Sequence, residues 1–298
     1  MKLVPATPAR RLLLALLLLL TLPSGASGAA RAAVNPDWLT PVAPFRIVSN
    51  LYYVGSKDLA SYLIVTPEGD ILINSNLEAS VPQLRHNVEE LGQRFADIRI
   101  LLISHAHWDH DSGSAAVKRE TGASYMVMDG DVAVVESGGK KDFRYPDTHY
   151  PAAKVDRVLH DGDEVPLGGT VLVAHKTPGH TRGCTTWALR VLDQGRPLNV
   201  VIVGSWNVNP GYRLVDRPGQ PASYPGIAQD YEYTFKVLKA LPCDVFLGAH
   251  GSYFDMLAKL RRLTPATALT VWIDPQSYQT RVQERESAFQ AELARQSQ

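Results

Sequence analysis

The run Ile100-Leu101-Leu102-Ile103-Ser104-His105-Ala106-His107-Trp108-Asp109-His110-Asp111-Ser112-Gly113 changes character at its centre. Its apolar first part reads as a buried strand over Ile98 to Ser104, and its end reads as the start of a helix over Ser112 to Thr121. Between them stand His105, His107, Asp109 and His110. Side chains alternate along a strand, so His105 and His107 leave the sheet on one side. An isolated histidine is usually an ordinary core or surface residue. Four such donors at one strand-to-helix junction instead fit a borderline-soft metal ion such as zinc, which takes imidazole nitrogen and carboxylate oxygen. Trp108 alternates away from these donors and is expected to pack beneath the loop.

Two more histidines stand in turns. His180 lies in Thr177-Pro178-Gly179-His180-Thr181, after a strand ending at His175, and His250 lies in Gly248-Ala249-His250-Gly251, after one ending at Leu247. Loops at strand ends can present side chains to a shared site. Alone, either is a turn histidine. Together, His105, His107, His110, His180, His250 and Asp109 suffice for two metal ions at three protein ligands each. Three ligands leave a position open for water, the mark of a catalytic site. His160, in His160-Asp161-Gly162-Asp163, reads as a turn residue, and His86 and His149 have no suggestive neighbours.

Further out, strand and helix signals alternate. Phe45 to Val54, Ala60 to Thr66 and Asp70 to Ser75 read as strands, the last two joined into a hairpin by Pro67-Glu68-Gly69-Asp70. A helical period covers Val81 to Leu91. In the second half Val155 to Leu159, Gly169 to His175, Thr185 to Leu192, Leu198 to Val203 and Asp244 to Leu247 read as strands. A helix covers Ile227 to Leu241, where Pro242 stops it, and a short one lies around Phe254 to Leu263. Tyr278, Val282, Phe289 and Leu293 form one stripe of an amphipathic helix from Ser277 onward. Two β-rich halves, each closed by helices, predict an α/β domain of two sheets face to face with helices outside.

Composition narrows the classes. With 298 residues, 45% hydrophobic and 20% charged, the chain is neither disordered nor collagenous nor a coiled coil. Lys plus Arg and Asp plus Glu both number 30, so no basic excess points to nucleic acid. Two cysteines cannot build a disulfide scaffold or a four-cysteine zinc site. At the N-terminus, Lys2, Arg10 and Arg11 precede the apolar run Leu12 to Leu22, which small residues follow. This reads as a signal peptide over residues 1–30, cut near 28–33. A membrane anchor is the weaker alternative, because a spanning helix needs about 20 apolar residues. Residues 34–298 then form one exported domain, periplasmic if the host has two membranes, with no stable membrane insertion after cleavage. No oligomer is implied.

The pattern His-x-His-x-Asp-His at His105 to His110, followed by two separated histidines, resembles the metallo-β-lactamase superfamily. The runs Ala174 to Trp187 and Gly204 to Tyr212 resemble more narrowly the third subclass of class B β-lactamases, from about Trp38 to the C-terminal helix. The resemblance implies a single-domain αββα four-layer sandwich with two Zn2+ per chain at one edge of the sheets. His105, His107 and His180 match the first zinc site; Asp109, His110 and His250 match the second. Many relatives place a bridging aspartate or a cysteine where this chain has Ser205, and a serine hydroxyl stays protonated and ligates poorly at neutral pH. That departure points away from glyoxalase-type and nuclease-type relatives. Asn74 stands where many members carry an aspartate supporting the metal loop, and its amide can still hydrogen-bond a ligand histidine.

The implied activity is hydrolysis of the β-lactam amide of small-molecule antibiotics by a metal-bound hydroxide, conferring resistance. Zinc brings bound water to a pKa of ~7. Asp109 is expected to orient the nucleophile and relay its proton. Ser205 and Asn207 match positions that hold the substrate carboxylate, and Tyr212 matches a tyrosine near the carbonyl oxygen, where a hydroxyl can stabilise the oxyanion. Each also has a plain reading as a turn or packing residue. The loop Glu136 to Tyr150 is expected to flank the site, with Lys140 and Lys141 in solvent. Alternatives are a lactonase or thioesterase on the same fold, or a zinc-storage protein without turnover. In the resembling subclass the cysteine matching Cys243 commonly pairs with a partner whose position Tyr278 holds here. Cys184 matches a separate position, so two free thiols are expected.

Overall fold

In the N-terminal part of the domain, β1 (Phe45–Val48), β2 (Leu51–Tyr53), β3 (Tyr62–Ile64) and β4 (Asp70–Ile73) form an antiparallel meander. Helix α1 (Val81–Glu90) then leads to β5 (Ile98–Leu102), which pairs parallel to β4. Helices α2 (Trp108–Asp111) and α3 (Ser114–Thr121) precede β6 (Ser124–Met128), and α4 (Val132–Glu136) precedes β7 (Arg157–Leu159). These strands make one seven-stranded sheet in sequence order. The second sheet has five strands, β8 (Asp163–Leu167), β9 (Thr170–Lys176), β10 (Thr185–Asp193), β11 (Arg196–Val203) and β12 (Val245–Gly248). Helix α5 (Ile227–Ala240) crosses over to β12, and α6 (Met256–Leu260) and α7 (Pro275–Ser297) close the chain. The computed structural model describes residues 1–3, 35–268 and 270–298, so the expected signal peptide falls almost wholly outside the described residues. No helix among them is long and apolar enough to cross a membrane.

Period-two alternation explains the layering. On β4 and β5, Ile71, Ile73, Ile100 and Leu102 enter the core between the sheets. Leu72 and Leu101 turn outward to Leu84 and Val88 of α1 and Val117 of α3. Both faces of these strands are buried, which is why their sequence reads as unbroken apolar runs. Tyr231, Phe235, Tyr278 and Phe289 of α5 and α7 cover the second sheet. The result is the expected αββα sandwich. The Trp187 indole donates to Ile103 O at 3.1 Å, joining the sheets directly below the histidine run.

Several elements differ from expectation. Phe45 to Val54 is a hairpin rather than one strand, because Ser49 takes a positive φ of 49° and reverses the chain. The strands β6 and β8 were not expected. The C-terminal helix begins two residues early, at Pro275, where the Asp274 carboxylate caps it by accepting from Ser277 N–H at 3.1 Å.

Cys184 and Cys243 are free thiols, and burial raises the pKa of both. Unreduced, denatured protein is therefore expected to titrate two thiols per chain. A monomer that alkylates only after reduction would contradict this placement.

Candidate metal centre

Ligand candidates arrive from both sheets at one edge. His105 and His107 follow the end of β5, and His107 occupies the cap position of α2, whose first turn carries Asp109 and His110. His180 sits in the β9–β10 turn, where Thr177 N–H donates to Cys184 O at 2.8 Å and Gly179 N–H to Thr181 O at 2.9 Å. Gly179 has φ +123°, and a Cβ there would lie 2.7 Å from the Tyr231 ring, so only glycine fits before His180. His250 follows β12 and bridges to Leu59 in the loop between β2 and β3.

The six side chains converge. Ligand atoms of His105, His107 and His180 lie within 4.8 Å of one another, as do those of His105, Asp109 and His110. His250 Nε2 joins them, 3.2 Å from His110 Nε2 and 3.6 Å from Asp109 Oδ2. Burial, then mutual repulsion, holds His105 and His110 well below the usual imidazole pKa. Burial likewise takes His107 down to about 4 and His180 to about 3. At His250 burial also pulls downward, but the hydrogen bond to Asp58 and the charges of Asp109 and Asp58 outweigh it. Neutral imidazole is the form that ligates metal.

The cluster fits metal ions. His110 Nε2 lies 3.2 Å from His250 Nε2 and 3.4 Å from Asp109 Oδ2, a buried gathering of imidazole nitrogen and carboxylate oxygen of the kind zinc takes. Two other imidazoles are held from behind by hydrogen bonds, and a third approaches a carboxylate. His180 Nδ1 donates to Asn207 O at 2.9 Å, His250 Nδ1 donates to Asp58 Oδ2 at 3.0 Å, and His107 Nε2 lies 3.4 Å from Asp142 Oδ2. Each leaves its other ring nitrogen free for the cluster.

The residues behind the ligands were not visible in the sequence. Asp131 accepts from Ala106 N–H at 2.9 Å, the Thr181 hydroxyl at 2.7 Å and Gly183 N–H at 2.8 Å, binding the His105–His107 turn to the His180 turn. Burial pushes its pKa up to about 6, against the pull of those donors. Tyr150 donates to Ala106 O at 2.7 Å, so the expected flanking loop does border the site, with Lys140 and Lys141 exposed. Asn74 binds backbone rather than a ligand histidine. Its oxygen accepts from Ser104 N–H at 2.7 Å and its amide donates to Ala60 O at 3.1 Å.

Other expected residues fall as follows. Ser205 is 1% exposed, with Oγ 3.2 Å from the Tyr253 hydroxyl, to which the Asn207 amide donates at 3.0 Å. The Tyr212 hydroxyl donates to His180 O at 2.7 Å. That bond braces the turn that carries His180. Trp108 packs edge-on against Trp38, with ring centroids 5.5 Å apart. His86, His149 and His160 are exposed and outside the cluster.

Residues 59–250 match the metallo-β-lactamase superfamily, and the chain belongs to that family. It is a hydrolase of the metallo-β-lactamase type. The native FEZ-1 metallo-β-lactamase from Legionella gormanii is 51% identical, with a TM-score of 0.82 over 87% of this chain and 98% of that one. The class B3 di-zinc metallo-β-lactamase LRA-12 from an Alaskan soil metagenome is 34% identical, with a TM-score of 0.79 over 88% and 98%. A probable metallo-hydrolase of Burkholderia pseudomallei is 34% identical over 111 residues, and the chain spans only 37% of that relative's length.

Proposed function

We propose that the protein hydrolyses the β-lactam amide of antibiotics with two zinc ions and thereby confers resistance. His105, His107 and His180 hold the first, and Asp109, His110 and His250 the second. The reading is carried by one observation: five imidazoles and Asp109 converge in one buried cluster, with the potential ligand atoms of His105, His107 and His180, and those of His105, Asp109 and His110, within 4.8 Å of one another and His250 Nε2 3.2 Å from His110 Nε2. The likeness to solved β-lactamases over nearly all of their length supports the substrate class.

Bound zinc supplies Lewis-acid polarisation of the lactam carbonyl and acidified water at neutral pH. The chain's own groups do the rest. The Asp109 carboxylate, at the second ligand group, takes the proton of the attacking water as the C–O bond forms and returns it to the lactam nitrogen as the C–N bond breaks. The half-buried Asn207 reaches the substrate carboxylate with its amide, while Ser205 contributes through the Tyr253 hydroxyl that both contact. Tyr212 keeps His180 in place.

Purified full-length protein is expected to turn over a chromogenic cephalosporin and to lose that activity on chelation. Chelator-insensitive or absent cephalosporin hydrolysis, beside turnover of a lactone or thioester, overturns the reading. The domain is also proposed to be exported and periplasmic, on the strength of the Leu12 to Leu22 run. Protein sequencing of a periplasmic extract should then find a mature N-terminus within residues 29–34; retention of Met1 in the cytoplasm would contradict export.

A further inference from the structure

We infer that Asp142 and Asp58 are positioning carboxylates, one for each metal position, so that either ion can be loosened without the other. The inference rests on the ligand assignment proposed above. Asp142 Oδ2 lies 3.4 Å from His107 Nε2, and both side chains are 5% exposed. Its other oxygen accepts from Arg144 N–H at 2.6 Å and Tyr145 N–H at 2.7 Å, so its own loop sets its orientation. That loop is clasped to the far wall. The Arg144 guanidinium donates to Pro210 O at 3.2 and 3.1 Å, and the Asn209 amide donates to the Tyr145 hydroxyl at 3.1 Å. The other neighbour of His107 Nε2 is the Tyr212 hydroxyl oxygen at 3.5 Å, whose hydrogen points to His180 O. Both neighbours therefore offer lone pairs. His107 keeps its proton on Nε2 and turns a bare Nδ1 to the cluster.

Asp58 does the same on the opposite flank. Its Oδ2 accepts from His250 Nδ1 at 3.0 Å and from the Trp38 indole at 3.2 Å, and its Oδ1 accepts from Ser252 N–H at 3.1 Å. Among the described residues the remaining imidazoles have no carboxylate behind them: His180 rests on a backbone carbonyl, and His105 Nδ1 and His110 Nδ1 are unpartnered. The two carboxylates thus fall one to each ligand triad, on loops 84 positions apart in the chain by their numbers, 58 and 142.

The test is zinc affinity, measured on the full chain by competition with a chromogenic chelator, for Asp142→Asn and Asp58→Asn, alone and with His110→Ala. Asparagine keeps the volume but sets an amide against the imidazole. Each single variant is expected to weaken one zinc equivalent by about 10–100-fold, the usual cost of losing an outer partner, and to leave the other within about threefold. With His110→Ala, Asp142→Asn should still weaken the remaining ion, and Asp58→Asn should not. Cobalt(II)-loaded variants should show shifted ligand-field bands, which a purely structural role leaves in place, and Asp142→Glu should restore affinity. Wild-type affinity for both equivalents in either variant, equal weakening of both, or the reverse pattern with His110→Ala overturns the inference. Wild-type protein binding fewer than two zinc ions would instead fail the ligand assignment, before any variant is compared.

Discussion

His110→Ala is expected to take zinc content from two towards one per chain and to lower turnover by at least about 100-fold, beyond what an outer-partner change costs. His110 is fully buried, with one ring nitrogen unpartnered and the other 3.2 Å from His250 Nε2. Two neutral imidazole nitrogens at that distance are at ease only when one donates or when both face a cation. His250 already spends its Nδ1 proton on Asp58, so its Nε2 turns a bare lone pair toward His110 and the cluster, ready for an ion. Alanine removes one of the three proposed ligands there and leaves the first group, His105, His107 and His180, intact. Elemental analysis beside steady-state kinetics checks this. Two zinc ions at full activity would remove His110 from the ligand set.

Asp131→Ala is expected to lower stability by about 3 kcal/mol, because it strands three donors that each cost ~1–3 kcal/mol when buried and unpaired. In a domain of this size that is a fall in Tm of roughly 10 °C. Turnover should fall as well, since Ala106 N–H, between two ligands, and the Thr181 and Gly183 donors beside His180 lose their common acceptor. Thr181→Val removes one of the three bonds and should cost about 1 kcal/mol. Thermal melts of the metal-free forms separate this from any effect of zinc. An unchanged melt for Asp131→Ala would show that water replaces the carboxylate.

The residues of the cluster were legible in the sequence because chemistry and order coincide there. His105 to His110 are contiguous, and His180 and His250 each follow a strand, so a reader needs only strand ends and donor types. Asp58 and Asp131 look like any loop aspartate. Asp58 meets His250 across 192 positions, and no local pattern encodes that meeting. The same limit applies to strands. In Ser124–Met128 nearly every residue is buried, so no alternation marks it, and Asp163–Leu167 carries two acids and a proline that read as turn chemistry. Tyr212 shows a third kind of limit: its position beside the cluster was legible, but the direction of its single hydrogen was not.

The ligands' origin on two different sheets has a mechanical consequence. His110 leaves the seven-stranded sheet and His250 the five-stranded one, so an ion between them ties positions 140 residues apart. In the loop-entropy account a tie of that span removes about 5 kcal/mol of freedom from the unfolded chain. In this chain, whose thiols are unpaired, a bound ion would thus act as a removable cross-link in place of a disulfide. Stripped of metal, the two halves of the sandwich are seamed by the Trp187 bond to Ile103, the Arg46–Asp193 pair and the shared core. The time the protein survives beside a protease then becomes a readout of how much metal its surroundings supply.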